Sequence, residues 1–384
     1  MKEMLPFNKD VLKWARISIG LSEEDVAKKF DKSVEEIIEW ENGTDSPTYV
    51  QLERLAHEIY KRPIAVFFFP LVPTEENPKT DFRTLPDTSI SELPSEIIKQ
   101  YRKAKLYQMY LEELFENQLP VERNLLSEIN PQTSNSLVLF ASVVRQKLGI
   151  TIEEQQKWKS TEDAFKKWRE LLEKHGIFVF KDAFKNDNYS GLCLHHEKYP
   201  IIHVNNSMHF SRQIFTLFHE LGHLLLKNGG VDYKSELYTR VFRGIYKDIE
   251  VGCNAFANAV LVPEDIFDSF KPELTELNFQ KLADYFSVSK EVILRNYLSR
   301  GWIDSDYYEE RVSEWSEGAK NNKKKGNSGN YYNTQKAYLG DKYINIVYSK
   351  YYQNRINLEN VAEYFQVKMK NLSTFESNLL NVGQ

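Results

Sequence analysis

Apolar positions recur at helical spacing through the first part of the chain. Between residues 12 and 60 they form short clusters separated by polar turns, with intervals of three and four inside each cluster. Ser22 and Ser33 each precede one cluster and are followed by acidic residues, which is typical of a helix N-terminus. The pattern predicts a small domain of short helices around a shared core. The apolar positions that form these clusters are Leu12, Trp14, Ala15, Ile19, Leu21, Val26, Ala27, Phe30, Val34, Ile37, Ile38, Trp40, Leu52, Leu55, Ala56, Ile59 and Tyr60.

The pattern then changes from extended to helical and from helical to strand-like. Prolines interrupt a polar stretch after residue 73, which favours an extended connector. Helical spacing next predicts a long surface helix and two further helices, over residues 94–118, 134–148 and 160–175. Short β-prone runs separated by turn residues predict three strands, over residues 177–180, 191–194 and 201–204. We therefore expect an α+β fold that is mostly helical and contains one small sheet.

A helical pattern over residues 209–226 encloses the sequence His219-Glu220-Leu221-Gly222-His223. Two histidines four positions apart lie on one face of a helix, so both imidazoles can bind one tetrahedral Zn²⁺. Glu220, next to the first histidine, can act as general base toward a metal-bound water. The alternative is a pair of buried histidines in an ordinary core helix. The motif favours a hydrolytic metal site, which needs a third protein ligand.

The apolar run over residues 249–263 supplies a carboxylate in a suitable place. Glu250 shares a helix face with Cys253, Asn254 and Ala257, which are small enough for close packing against the helix that carries the histidines. Glu250 is therefore the predicted third ligand. An acid in a first helical turn can also be a solvated residue favoured by the helix dipole, and Asp248 and Cys253 are competing ligands.

Composition and charge limit the class of protein. A chain of 384 residues should hold two or three domains, and a net charge of −5 favours neither DNA nor an anionic membrane. Two cysteines, Cys193 and Cys253, do not make a disulfide framework, so a reducing cytoplasm is expected. The first ten residues lack the pattern of a signal peptide. The apolar run over 64–72 is too short to span a bilayer and is interpreted as the core-packing end of the first domain.

These motifs resemble the ImmA/IrrE-type metallopeptidases, which often carry an N-terminal helix-turn-helix of the XRE type. The matching residues are 201–205, Arg212, 215–226, Glu250, Asn254, Phe256, Ala257 and Pro263, with Trp40-Glu41-Asn42-Gly43 in the first domain. The resemblance implies a zincin-like catalytic domain with His219, His223 and Glu250 as zinc ligands and Glu220 as catalytic base. Another divalent metal such as Mn²⁺ is an alternative to zinc.

The helix-turn-helix would usually indicate DNA binding, but its charge argues against it. Residues 1–73 contain thirteen acidic and ten basic side chains, whereas DNA binding depends on a basic face. The second helix of the motif presents Glu35, Glu36 and Glu39 where base-reading helices carry Arg, Gln, Asn or Ser. A local basic edge could still be formed by Lys28, Lys29, Lys32, Lys61 and Arg62. We expect a protein-docking or dimerising module, with DNA binding as the alternative.

Two functions of different class follow. The resemblance implies an endopeptidase that acts in regulated proteolysis on a protein substrate, a repressor or a toxin–antitoxin-type protein of a mobile element or a stress response. The alternative is a transcriptional regulator or antitoxin-like binding protein whose metal site is structural or latent. Neither function calls for a membrane.

The predicted domains are a helix-turn-helix domain at 1–73, a connector and long helix at 74–135, a metallopeptidase domain at 136–308, and a basic linker with a small C-terminal helical unit at 309–384. Four residues are candidates for an oxyanion donor or a substrate contact, and each also suits a structural role: His203, His209, Tyr233 and Tyr238.

One short pattern occurs three times. Residues 26–30, 282–286 and 361–365 each place an alanine three positions before a phenylalanine and precede another apolar helix. Such a pattern suits the corner of a tri-helical unit. Generic helix packing explains it equally well, so the sequence alone does not establish a duplication.

Overall fold

The computed structural model describes residues 5–60, 62–73, 93–121, 124–130, 136–226, 230–233, 245–321 and 330–381. The described residues up to Arg102 form one compact unit, and those from Lys103 onward form a second. The predicted connector over 74–92 and most of the basic linker lie outside the described residues. The domain bounds given above stay predictions.

The N-terminal unit consists of short helices around a core of its own. The helices are α1 (Lys9–Ile17), α2 (Glu23–Phe30), α3 (Val34–Asn42) and α4 (Tyr49–Arg54), followed by a π-helical turn (Leu55–Tyr60) and a 3₁₀ helix (Ile64–Phe68). Ser22 and Ser33 begin α2 and α3 with reciprocal capping boxes, as their sequence context predicts. The apolar run over 64–72 was expected to pack into the core of this unit. That expectation is wrong for most of the run, because Phe67 is buried while Phe68, Phe69 and Leu71 are exposed.

A buried ion pair ties α1 to the end of α3. Arg16 donates from Nε and Nη2 to the two carboxylate oxygens of Glu41, at 2.6 and 2.8 Å, and both side chains are about 95% buried. A third donation, from Nη1 to the carbonyl of Leu21, satisfies the guanidinium further. Because every donor faces an acceptor, the charges are tolerated inside this small core.

The second unit is built around a four-stranded sheet. Its strands are β1 (Phe178–Asp182), β2 (Tyr189–Leu194), β3 (Ile201–Asn205) and β4 (Gly230–Tyr233), in the order β1-β3-β2-β4. Strand β3 is parallel to β1, and β2 is antiparallel to both of its neighbours. Three of these strands were predicted. The fourth was not, because its four residues show too little alternation of apolar and polar positions to be distinguished from a loop.

The helices of the second unit surround this sheet. In chain order they are α5 (Ser95–Leu114, which begins in the N-terminal unit), α6 (Leu125–Glu128), α7 (Leu137–Leu148), α8 (Ile152–Gln155), α9 (Thr161–Lys174), α10 (Phe210–Leu225), α11 (Ile245–Leu261), α12 (Glu264–Phe267), α13 (Glu276–Phe286), α14 (Lys290–Ser299) and α15 (Ser305–Asn321). Helices α16 (Tyr331–Leu339), α17 (Asp341–Tyr352), α18 (Leu358–Tyr364) and α19 (Leu372–Asn381) complete the chain, with a 3₁₀ turn (Met369–Asn371) before the last. No helix among the described residues has the length and apolarity needed to cross a membrane.

The two faces of the sheet pack differently. Val179, Cys193, Ile202 and Val204 point to one face and share the main hydrophobic core with helices α9, α10 and α11. On the other face, Phe180 stacks on Tyr107 of α5, with ring centroids 4.1 Å apart. Helix α5 was predicted to lie on the surface, but Ile97, Tyr107 and Leu111 are fully buried. Because α5 contains many polar residues, its apolar stripe was not recognised in the sequence. The sheet packs against this stripe at Tyr107.

Candidate metal centre

Helix α10 carries the His-Glu-x-x-His motif through the core. Every side chain from Gln213 to Leu225 is buried, because apolar positions such as Ile214 and Leu217 face the sheet and its neighbouring helices. His219, Glu220 and His223 are each at most 1% exposed. Polar groups this deeply buried require hydrogen-bonding or ionic partners, since an unsatisfied one costs about 1–3 kcal/mol of stability.

Gly222 allows α11 to approach these histidines. A Cβ atom at Gly222 would lie 3.1 Å from Sγ of Cys253 and 3.3 Å from a ring carbon of Phe256, both on α11. The glycine costs helix stability but removes the atom that would hold the two helices apart. Helix α11 therefore lies close enough for Glu250 to reach the histidine pair.

The three candidate ligands converge on one point. Nε2 of His219 lies 3.1 Å from Nε2 of His223, and the two Glu250 oxygens lie 3.3 Å from one histidine nitrogen each. Two ligand atoms bound to a tetrahedral Zn²⁺ at 2.0–2.1 Å are themselves about 3.3–3.4 Å apart. The observed separations between neighbouring donor atoms are close to this value, so the donor set fits a single ion of this size. Among the described residues, these three form the group able to hold a metal.

Asn254 orients the first histidine. Its Oδ1 lies 3.0 Å from Nδ1 of His219, and it is one helical turn beyond Glu250 on α11. If Nδ1 carries the proton and donates it to this amide oxygen, Nε2 keeps its lone pair and points it toward Glu250. The hydrogen bond therefore selects the tautomer that a metal site requires.

The electrostatics of the site favour a carboxylate beside two imidazoles. Burial would raise the pKa of Glu250, but His223 and His219 lower it well below its usual range. Burial likewise lowers the pKa of His223, while Cys253 and Glu250 raise it, and the net result is a pKa well above the ordinary value. Both shifts have one cause, since the carboxylate and the imidazoles stabilise each other's charged forms at this short distance.

The side chain of Glu220, on α10, lies close to strand β2. A Cβ atom at Gly191 would lie 3.8 Å from Oε1 of Glu220 and only 2.5 Å from Cγ2 of Thr216. The strand therefore passes within contact distance of the helix face that carries the candidate base. A glycine inside a strand is a signal of such close approach, although Gly191 was not singled out from the sequence.

The remaining candidates are not brought to this point. His203 is buried on the opposite face of the sheet, against Tyr107 and Phe184. His209 is exposed just before α10 begins, about 15 Å along the helix axis from His219. Only the backbone of Tyr233 is described, in β4, and Tyr238 lies outside the described residues. Of the competing ligands, Asp248 is exposed, and Cys253 is buried but does not belong to the three-residue group.

Residues 172–297 match the IrrE N-terminal-like domain of the peptidase M78 family, and residues 12–59 match a helix-turn-helix family. The chain contains an N-terminal helix-turn-helix, followed in the sequence by an M78 peptidase domain. The resemblance seen in the sequence is thereby confirmed. A comparison with curated proteins gives no match.

The M78 domain runs from the end of α9 to α14 and contains the whole His219, His223 and Glu250 group. Membership supports a metallopeptidase-type enzyme, and the accompanying helix-turn-helix supports a role in regulated proteolysis or regulation. Asn254 also belongs to the M78 domain. Its role in orienting His219 was missed from the sequence, although an amide one turn from a candidate ligand was an available signal.

Proposed function

We propose that the chain is a zinc-dependent endopeptidase that hydrolyses a peptide bond in a specific protein partner. The observation that carries this proposal is the tetrahedral spacing of Nε2 of His219, Nε2 of His223 and the Glu250 carboxylate. Glu220, the neighbour of one ligand, is fully buried beside it. Three ligands from the protein leave the fourth position of a tetrahedron open, as in catalytic rather than structural zinc sites.

The residues of the chain would divide the work as follows. His219, His223 and Glu250 would hold the ion, and Asn254 would keep His219 in its binding tautomer. A bound Zn²⁺ supplies an acidified water and polarises the carbonyl to be attacked. Glu220 would accept the proton from the attacking water on a carboxylate oxygen and then pass it to the leaving amine.

The sheet supports a substrate of extended conformation. Strand β4 pairs with β2 on one side only among the described residues, so its other side offers backbone groups to an added strand. A peptide bound in this way is held by main-chain hydrogen bonds and presents its peptide groups in a regular array. We propose a protein substrate for this reason. The helix-turn-helix in the same chain favours a role in regulation, so we propose a repressor or a toxin–antitoxin-type protein as the substrate.

The substitution Glu220→Gln tests the catalytic role. Full-length Glu220→Gln protein is used to capture partners from the source cells, and each partner is then incubated with wild-type and variant protein. Wild type should cleave a captured partner, while Glu220→Gln should be slower by about 10²–10⁴-fold with unchanged zinc content and thermal unfolding. The exposed Glu170→Gln on α9 is the control and should cleave normally. Cleavage by Glu220→Gln at the wild-type rate would refute the proposal.

The substitution Glu250→Ala tests the third ligand separately. Removal of the carboxylate should lower the zinc content of the purified protein, measured by mass spectrometry after dialysis against a weak chelator. Full zinc occupancy in Glu250→Ala would show that another residue completes the site.

A further inference from the structure

The same helix-turn-helix corner occurs at three places in the chain. The residue after Phe30, Phe286 and Phe365 adopts left-handed backbone geometry in each case, with φ of 55° at Asp31, 55° at Ser287 and 53° at Gln366. The following amide then donates to the carbonyl of the alanine in the recurring pattern. These bonds are Lys32 to Ala27 at 3.0 Å, Val288 to Ala283 at 2.9 Å and Val367 to Ala362 at 3.0 Å. The recurring sequence pattern therefore marks one backbone structure formed three times.

The first and third corners are equivalent beyond the turn. Phe30 meets Trp40 edge-to-face with centroids 6.2 Å apart, and Phe365 meets Phe375 in the same manner at 5.4 Å. In both pairs the aromatic residue of the second helix is ten positions after the phenylalanine and is buried. Equal spacing makes the second helices comparable position by position. The C-terminal helices thus contain a helix-turn-helix equivalent to the N-terminal one, formed by residues 358–378.

The three second helices differ in what they expose. Helix α3 exposes Glu35, Ile38 and Glu39, so the N-terminal motif presents acid and an apolar side chain. At the equivalent positions helix α14 exposes Glu291, buries Leu294 and half-buries Arg295, which lies 3.5 Å from the Glu291 carboxylate. Neither face suits a polyanion, because the first is acidic and the second pairs its one cation with an exposed acid.

The C-terminal second helix exposes a basic and hydroxyl-rich face. Lys370, Ser373 and Thr374 occupy the positions equivalent to Glu35, Ile38 and Glu39, and all are exposed. Ser377 extends the same face within α19 and is exposed; Lys370 lies in the 3₁₀ turn before α19, and Lys368, also exposed, lies just before that turn. The acid of this helix, Glu376, is half-buried and accepts a 2.8 Å hydrogen bond from the Tyr352 hydroxyl.

The two motifs also differ in net charge. Residues 358–378 contain two basic and three acidic side chains, a net charge of −1, whereas the equivalent residues 23–43 contain three basic and eight acidic side chains, a net charge of −5. Lysine side chains neutralise phosphates, and serine and threonine hydroxyls hydrogen-bond to phosphates or base edges. In a helix-turn-helix, the second helix is the element that enters the major groove.

We propose that the C-terminal helix-turn-helix binds duplex DNA through exposed side chains of its second helix and of the turn that leads into it, Lys368, Lys370, Ser373, Thr374 and Ser377. DNA binding thereby belongs to the C-terminal end of the chain and not to the acidic N-terminal motif. This site is separate from the metal centre and does not depend on the peptidase function.

Two charge-matched double variants of the full chain test this assignment. Lys368→Glu/Lys370→Glu reverses the C-terminal face, and Lys28→Glu/Lys29→Glu makes the same charge change at two exposed lysines of the N-terminal motif. The probe is a pool of fluorescein-labelled 30-base-pair duplexes of mixed sequence, followed by fluorescence anisotropy at low salt. Thermal unfolding of each variant should match wild type, because all four lysines are exposed.

Wild type should bind the duplexes, and Lys368→Glu/Lys370→Glu should weaken binding at least tenfold. Lys28→Glu/Lys29→Glu should stay within about twofold of wild type. The milder variant Lys368→Ala/Lys370→Ala should lower the slope of log affinity against log salt by roughly 2, one unit for each phosphate contact. The proposal is overturned if wild type binds no duplex, if both reversal variants weaken binding equally, or if only the N-terminal one does. Lysine-dependent binding of polyglutamate without binding of the duplex would assign the face to an acidic protein instead.

Discussion

Asn254 hydrogen-bonds to Nδ1 of His219 at 3.0 Å, from a helix other than the one that carries the histidine. The bond orients the imidazole, so we expect Asn254→Ala to lower zinc affinity by about 10–100-fold. Competition with a chromophoric chelator measures this affinity directly. Asn254→Asp keeps an acceptor oxygen and should bind zinc nearly as tightly as wild type. Equal affinities for the alanine variant and wild type would show that the ring is held by its packing alone.

Gly191 lets strand β2 pass beside α10, and its replacement should disturb both elements. In Gly191→Ala the new methyl group would lie 2.5 Å from Cγ2 of Thr216 and 3.0 Å from the His203 carbonyl oxygen. We expect a loss of about 1–3 kcal/mol in the free energy of unfolding, measured by urea denaturation. Thr216→Ser removes the closer methyl group and should restore part of the loss in the double variant. Additive losses in the double variant would contradict the contact.

His203 should make the second unit sensitive to mild acid. Burial, with a smaller contribution from Lys103, lowers the pKa of His203 to about 3, whereas an unfolded chain has a histidine pKa near 6.5. Between these values the unfolded state binds more protons, so stability is complete above about pH 6.5 and is lost as the pH falls. From pH 6.5 to 5 the loss should be about 2 kcal/mol.

Urea unfolding at several pH values compares wild type with His203→Phe, whose ring suits the aromatic surroundings of Tyr107 and Phe184. The variant should lose most of this pH dependence. His209→Phe removes an exposed histidine and serves as the matched control for composition. An identical pH profile for His203→Phe and wild type would mean that the ring is not the proton-binding group.

Local patterns predicted the elements of the metal centre well. The helices of Glu220 and Glu250 and the first three strands, β1 to β3, follow from periodicity and turn residues that depend only on near neighbours in sequence. The same reasoning missed β4, which has four residues and too little alternation to be distinguished from a loop. It also placed α5 on the surface, because the stripe of that helix is covered by a sheet formed more than sixty residues later.

By itself, the sequence determined the chemistry available to this protein. The motif from His219 to His223 places two imidazoles and a carboxylate on one buried helix, since helical geometry alone sets those positions. The lysines after Phe365 and the acids after Phe30 are also local features of the sequence. They give the exposed faces of two similar motifs opposite charge.

Only the tertiary structure decided which groups meet. Glu250 joins the histidines because Gly222 lets α11 approach, and His203 is separated from them because its strand turns it to the other face of the sheet. Burial likewise distinguishes the three helix-turn-helix corners, which share one backbone geometry but expose different surfaces. Contacts between distant segments arise from the packing of the whole core, and no local pattern in the chain records them.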